Sequence, residues 1–442
     1  MGEKDIIVVG AGLAGLSCGL ELVEKGHRVR VFEARNVVGG RTSSWIEDGM
    51  KVESGLHRFL GFYSALPKLI KKAGLKLDDV IVWEDQIEIR LPNNINAALD
   101  ASPIRRPIRT LKSALGNNHF LSIKDKISFI RFVLKGLYDY SKNPRLLDQK
   151  TVLEYATKLH TTQATIDRLL LPFTEGVFFL PPQKYSAYNL LGLLAPYWPA
   201  WYRFGVGAFK GGMTEVMAEP IAEAIRKRGG EVKTQMPIEK LWIEEGKVTG
   251  VVLVGGEPVK ANHVVLATSI VPAQRLVQPL KHQALEPFLR LPSMPTVTIQ
   301  FELKEPALPI DRTTFGPQTI LSSFSEQSRT TFRHAKGRLS VILAKPELFL
   351  HKEPKDTLEA VIADARTIGI ELKDKIIDYR IVKHPHDFYS FAPGHEELRP
   401  TQATPIPGLT LAGDYTKQKY LSTMEGAVVS GQKAAEAVLD QL

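Results

Sequence analysis

A short apolar run, Ile6-Ile7-Val8-Val9, leads without a break into Gly10-Ala11-Gly12-Leu13-Ala14-Gly15. A second run, Val29-Arg30-Val31-Phe32, ends in Glu33, and Gly39-Gly40-Arg41-Thr42 follows shortly after. Nothing else in the chain constrains its fold as tightly. A β-branched run is what a parallel strand buried on both faces requires. Gly10 permits a sharp turn out of the strand, Gly12 lets the backbone approach a pyrophosphate, and Gly15 lets the next helix pack close to the sheet. That helix is predicted from about Leu13 to Lys25, with Ala14 in its phosphate-facing stretch, and it aims amide groups and a positive dipole end at the phosphates. Gly26 ends it with a residue that accepts the left-handed conformation. Glu33 stands at the tip of the second strand, where a carboxylate accepts hydrogen bonds from an adenosine ribose. A glycine-rich turn alone is weak evidence. Placed between a strand and a helix, with the acid at the right distance, it predicts a bound dinucleotide, specifically FAD.

A chain of 442 residues is too long for one simple core, and two domains are expected. With 57 basic against 48 acidic residues the net charge is +9. Such an excess can meet nucleic acid or an anionic membrane. No RNP motif, zinc-finger spacing or dense basic helix supports nucleic acid, so that partner is excluded and the membrane is expected. The one cysteine, Cys18, rules out an intramolecular disulfide and falls in the first helix, where it is expected to pack. No cluster with metal-ligand spacing and no nucleophile triad is visible, so no metal is expected. Five residues precede Ile6, which predicts no signal or transit peptide and fits a cytoplasmic protein of bacterial type or a mature organellar one. No stretch reaches 18 uninterrupted apolar residues, so no transmembrane helix is expected.

The dinucleotide domain is predicted to be discontinuous, built from residues 1–85, 211–274 and 401–442. Its later pieces show a helix opening near Gly211-Gly212-Met213-Thr214, a turn at Gly229-Gly230 into a strand, and a buried run His263-Val264-Val265-Leu266. Leu409-Thr410-Leu411-Ala412-Gly413-Asp414 reads as a strand meeting a loop, and the last helix is expected to start after Glu425-Gly426. Two inserts, 86–210 and 275–400, are assigned to a substrate domain. The first is expected to be helical and aromatic, and the second to contain the strand Thr296–Phe301. The predicted fold class is α/β: a Rossmann-like FAD-binding domain with a second, mixed α+β substrate domain.

Three further stretches bear a family likeness. These are Glu53-Ser54-Gly55-Leu56-His57-Arg58-Phe59-Leu60-Gly61-Phe62-Tyr63, the turn Arg228-Gly229-Gly230-Glu231-Val232, and the run from Ala412-Gly413-Asp414-Tyr415 through Ser422-Thr423-Met424-Glu425-Gly426-Ala427. With the N-terminal block they resemble the flavin amine oxidase superfamily, and most of all the plant- and cyanobacterial-type phytoene and ζ-carotene desaturases. The resemblance implies that Gly10, Gly12, Ala14, Gly15 and Glu33 hold the ADP half of FAD. It puts Gly40 and Arg41 by the pyrophosphate or flavin, the backbone of Ile238 at the adenine, and Gly413 and Asp414 at the ribityl chain or pyrophosphate. The backbone at Met424 would face the flavin's pyrimidine edge. Glu425 and His57 are the candidate catalytic side chains. Plainer roles stay open: Arg41 as a surface residue, Asp414 as a turn cap, Glu425 as a first-turn acid favoured by the helix dipole, His57 as packing behind the flavin.

The activity implied is FAD-dependent desaturation of a long polyene, a carotene precursor such as phytoene or ζ-carotene. Flavin would take a hydride and a proton would leave the neighbouring carbon, with a membrane quinone as the acceptor that restores the flavin. Residues 122–138 then gain significance. Ile123, Ile127, Ile130, Leu134 and Leu137 share one helical face, widened by Phe129, Phe132 and Val133, while Lys124, Lys126, Arg131 and Lys135 lie to the side. Arg105, Arg106, Arg109 and Lys112 lie just upstream. Each CH₂ moved into water costs about 0.8 kcal/mol, so a long hydrocarbon stays in lipid and its enzyme must come to it. A peripheral helix lying in the bilayer interface, on the cytoplasmic face, is therefore expected. The rival readings are a carotenoid isomerase or other polyene oxidoreductase, an oxidase of soluble amines, and a non-enzymatic lipid-binding module like the Rab GDP-dissociation inhibitors.

Overall fold

The first strand lies where its sequence requires, in the middle of a parallel sheet. The structure, a computed structural model, describes residues 2–92, 95–100 and 106–442. Asp5–Val9 is flanked by Arg28–Phe32 on one side and His263–Leu266 on the other, with Glu231–Lys233 and Leu409–Leu411 at the two edges. All four pairings are parallel. Ile6 and Val8 join one apolar core beneath helices Leu13–Glu24, Glu219–Lys227 and Met424–Leu439, while Ile7 and Val9 join a second core on the opposite face. A strand covered on both faces has no polar positions to offer, hence the uninterrupted run. Because the strands are parallel, the loops after Val9, Phe32, Leu266 and Leu411 all emerge at one edge, where ligands of such sheets bind. Cys18 is fully buried in the first helix, and burial pushes its thiol far above the ordinary range, so it packs as a small apolar residue.

The two inserts build one seven-stranded sheet in the order Ile376–Tyr389, Ser293–Leu303, Gly337–Leu343, Leu321–Glu326, Thr314–Phe315, Gln86–Leu91, Ile95–Asp100. The last two strands correct the expectation that the first insert is helical from its start. Gln86-Ile87-Glu88-Ile89-Arg90-Leu91 alternates with period two, burying Ile87, Ile89 and Leu91. It forms a hairpin with Ile95–Asp100 and pairs parallel with Thr314–Phe315 of the other insert. The final helix also begins earlier than expected, at Met424, because the Thr423 hydroxyl caps it by accepting from the Gly426 amide at 3.0 Å.

Helix Ile123–Lys142 opens with a capping box between Ser122 and Asp125. Phe132, Val133 and Gly136 are buried, and Phe129 and Leu137 pack beside them against the core. Leu137 therefore does not share the outward stripe in which the sequence placed it. The stripe is Ile123, Ile127, Ile130, Leu134 and Tyr138, and these five side chains are 66%, 61%, 56%, 52% and 58% exposed. Phe132 and Val133, too, belong to the inward face rather than widening the stripe. Arg105 lies outside the described residues. No helix among the described residues is long and apolar enough to cross a membrane.

Candidate cofactor and active site

The three glycines of the first turn are glycines for different reasons. Gly10 has φ +106°, and a Cβ there would come within 2.8 Å of the Ala267 carbonyl oxygen. A Cβ on Gly15 would run into the Gly10 carbonyl. Both are imposed by the protein's own packing. Gly12 is different. Its φ of −75° and ψ of 176° suit any residue, and a Cβ would meet only the Gly40 Cα, at 4.0 Å. Neither backbone nor packing requires glycine there, so the open space over Gly12 is the cradle a pyrophosphate needs. Gly39, at φ +112°, donates its amide to the Ala11 carbonyl at 2.8 Å and brings the Gly40–Thr42 turn, Gly40 itself at φ +57°, over the same spot.

Glu33 lies at the tip of its strand, buried, with one carboxylate oxygen accepting from the Ala11 amide at 2.8 Å and the other from the Arg35 amide at 2.9 Å. A carboxylate offers about four acceptor positions, so each oxygen keeps one for a ribose hydroxyl. The Glu33 carbonyl accepts from the Met236 amide at 2.8 Å, which brings the chain leading to Ile238 alongside the same tip. Ile238 itself is buried at the start of strand Ile238–Glu244. Ala14 is buried in the first turn of the first helix.

Arg41 bonds Asp414, and its Nε lies 3.8 Å from Asp387. Burial works against the Arg41 charge, but these two carboxylates outweigh it and raise its pKa. Asp414 also accepts from Ser422, and Gly413, at φ +145°, donates its amide to Ser430 Oγ at 2.8 Å. Arg41 and Asp414, set far apart in the sequence, thus meet, and neither is a surface residue or a simple turn cap. Met424 is buried in the first turn of the final helix.

His57 reaches this cluster from the block at 53–63. Its Nδ1 lies 3.0 Å from the Gly55 carbonyl, which can only accept, so Nδ1 carries the proton and Nε2 the lone pair. Burial lowers the His57 pKa, opposed by the Gly55 hydrogen bond and the Asp387 charge, so the ring is neutral near neutral pH. Glu425 does not point here. Its carboxylate is fully buried and accepts from Ser64 N, Ser64 Oγ, Ala65 N and Leu66 N at 2.8, 3.0, 2.8 and 2.9 Å.

The sequence reading missed three residues. Asp387 accepts from Thr296 Oγ1 at 2.7 Å and faces Arg41. His384 Nε2 lies 3.0 Å from the Ser54 carbonyl. Both belong to His384-Pro385-His386-Asp387, a polar run inside a strand that was the available signal. Arg399 had none. Fully buried, it donates to the carbonyls of Asp414, Tyr415 and Thr416 and pairs with Glu396 at 2.8 Å, clamping the loop that carries Asp414.

An open parallel sheet with this turn, acid and arginine is the architecture of an FAD-dependent oxidoreductase. The chain belongs to the family of flavin containing amine oxidoreductases, whose family model matches residues 13–439. It is 28% identical to 15-cis-phytoene desaturase of Synechococcus elongatus over 98% of this chain and 95% of that protein. It is 26% identical to zeta-carotene desaturase of a Synechocystis species, over 98% and 97%. The fold is similar to that of a putrescine oxidase redesigned in its cofactor binding, with a TM-score of 0.79 and 17% identity, covering 100% of this chain and 99% of that one.

Proposed function

We propose that this chain desaturates a long polyene, a carotene precursor of the phytoene or ζ-carotene type, while seated on a membrane. The observation that carries the reading is the carbon-rich wall against Arg41. The Arg41 guanidinium lies 5.1 Å from the Phe388 ring centre, and Phe388 packs with Phe178, Phe179 and Phe391 at 6.5, 5.7 and 6.3 Å. Phe178, Phe179 and Phe391 are buried behind the half-buried Phe388, so Phe388 is the ring of this cluster that a conjugated hydrocarbon would meet. The full-length likeness to the two desaturases and the outward apolar stripe of helix Ile123–Lys142 agree with it.

Bound FAD supplies the two-electron acceptor for a C–H bond. The Gly10, Gly12 and Gly15 turn, with Ala14, Glu33 and the backbone near Ile238, would hold its ADP half. Gly40, Arg41, Gly413, Asp414 and the first turn at Met424 would hold the rest. The aromatic wall orients the polyene and keeps water away. Nε2 of His57, with its lone pair available, accepts the proton that leaves the substrate carbon. Charge developing on an allylic carbon is spread by the substrate's own double bonds, so one weak base suffices. Lys124 and Arg131 flank the apolar stripe on the same helix and would draw it to anionic lipid, with Arg106 and Arg109 at the start of the preceding helix Pro107–Leu115. A membrane quinone would accept the electrons.

The test is incubation of the holoprotein with phytoene or ζ-carotene in liposomes plus a quinone, with products separated by chromatography. Products two hydrogens lighter support the reading, whereas isomers of unchanged mass or oxidation of primary amines would replace it. In the same system His57→Ala should keep FAD and slow anaerobic flavin reduction by about 10²–10⁴-fold. An unchanged rate would leave His57 as scaffolding.

A further inference from the structure

We infer that Glu425 is a positioning residue. Its carboxylate fastens the first turn of the final helix to the start of helix Ala65–Lys72, and so holds the flavin-facing loop in register for FAD. This inference is independent of which substrate is oxidised.

The bonding accounts for every donor at that helix start. Ser64, the capping position, makes no side-chain cap bond to its own helix. Pro67 occupies the third helical position and has no amide hydrogen. The amides left over are Ser64, Ala65 and Leu66, and Glu425 accepts from all three, together with the Ser64 hydroxyl. A carboxylate from roughly 360 residues further along thus does the work a local cap performs elsewhere. Glu425 is not needed to cap its own helix, because Thr423 already does so.

The junction joins two motifs that the sequence shows separately. Tyr63, in the block containing His57, is buried beside Glu425 and Thr423, and burial together with the Glu425 charge pushes its phenol up. On the other side Gln418 Nε2 holds the Leu421 carbonyl at 2.7 Å, and a Cβ on Gly426 would strike that same carbonyl. The loop from Asp414 to Met424 is therefore pinned by Arg399 at its start, by Gln418 in its middle and by Glu425 at its end. Of these three pins only the last reaches the segment bearing His57, next to the hydrogen bond between Tyr63 and Thr423. A base at this place would have to face the substrate, whereas the Glu425 carboxylate is fully buried with both oxygens turned to residues 64–66.

The experiment compares wild type, Glu425→Gln and Glu425→Gln with Ser64→Asp, measuring FAD affinity of the apoprotein by fluorescence titration and the melting temperature. Glu425→Gln turns an amide donor toward amide donors and should weaken FAD binding by about tenfold or more while lowering the melting temperature. Adding Ser64→Asp gives the helix a local cap. Through the Leu66 amide it should recover part of the lost melting temperature and leave FAD binding weak, because the Glu425 tie between the two segments stays broken. Wild-type FAD affinity in Glu425→Gln, or recovery of both readouts by Ser64→Asp, overturns the inference. If Glu425→Gln does not fold, Glu425→Asp retains the charge on a shorter arm. Reduced FAD affinity in that variant supports the inference, and unchanged affinity overturns it.

Discussion

The outward stripe of helix Ile123–Lys142 gives the sharpest quantitative test of membrane docking. Ile123, Ile127, Ile130 and Leu134 each leave between 52% and 66% of their surface exposed. Full burial of such a side chain is worth roughly 1.5–3 kcal/mol, so sinking all four into lipid yields roughly 4–7 kcal/mol. Replacing Ile127 and Leu134 with serine removes about half, roughly 2–3 kcal/mol, or a 30- to 150-fold drop in partitioning. Serine matches isoleucine in helix propensity and is a few tenths of a kcal/mol poorer than leucine, and both side chains are more than half exposed, so stability should change by less than about 1 kcal/mol. The assay is co-sedimentation with uncharged phosphatidylcholine vesicles in about 1 M salt, where a Debye length of about 3 Å suppresses the basic border. At low salt on anionic vesicles, Arg106→Gln with Lys124→Gln and Arg131→Gln should weaken binding by about 1 kcal/mol per residue neutralised. If the double serine variant partitions like wild type on neutral vesicles, the stripe is not the docking surface.

Other outcomes follow from the same geometry. Gly12→Val should yield an apoprotein with a normal melting temperature that purifies colourless, since only the cofactor's space is filled. Gly15→Ala should instead destabilise the fold by about 1–3 kcal/mol or more, read by denaturant melts, because its Cβ meets the Gly10 carbonyl. Glu53 is buried, and burial raises its carboxyl to about 7, opposed by the Gln327 hydrogen bond and by Arg338 and Arg58. Its folded pKa lies above its unfolded value, so the folded state holds the extra proton and stability falls as pH rises from about 4.5 to 7. The loss amounts to roughly 3 kcal/mol, and Glu53→Gln should remove that slope from melting temperatures measured across the same range. Arg399→Met leaves three loop carbonyls and Glu396 without their donor and should cost about 3–5 kcal/mol in denaturant unfolding, with FAD lost alongside.

Much of the dinucleotide half was legible because its determinants are local. A β-branched run, a turn needing glycine and a helix start are properties of consecutive residues, and Gly10, Gly12, Gly15 and Glu33 lie where their spacing puts them. The hairpin Gln86–Leu91 with Ile95–Asp100 was equally local and was missed only because the period-two pattern is short. The candidate site was legible in part. Arg41 and Asp414 were named from separate motifs, and the fold makes them partners.

Periodicity states which residues share a helical face, and it is silent on what that face meets. Ile123, Ile127, Ile130 and Leu134 could have been core; packing put Phe132 and Val133 inward and left the isoleucines outside. Glu425 shows the same limit for a polar side chain. Its neighbours Met424 and Gly426 suggested chemistry at the flavin, but its partners are the amides of residues 64–66, far away in the chain. Asp387 and Arg399 likewise acquire their partners only when strand Ile376–Tyr389 and the C-terminal loop are brought beside Arg41 and Asp414. Backbone conformation is set by near neighbours through sterics and hydrogen bonds, so the sequence alone determined the nucleotide turn. The role of a buried charge is set by whichever donors surround it after the chain has closed on itself, and that the tertiary structure alone decided.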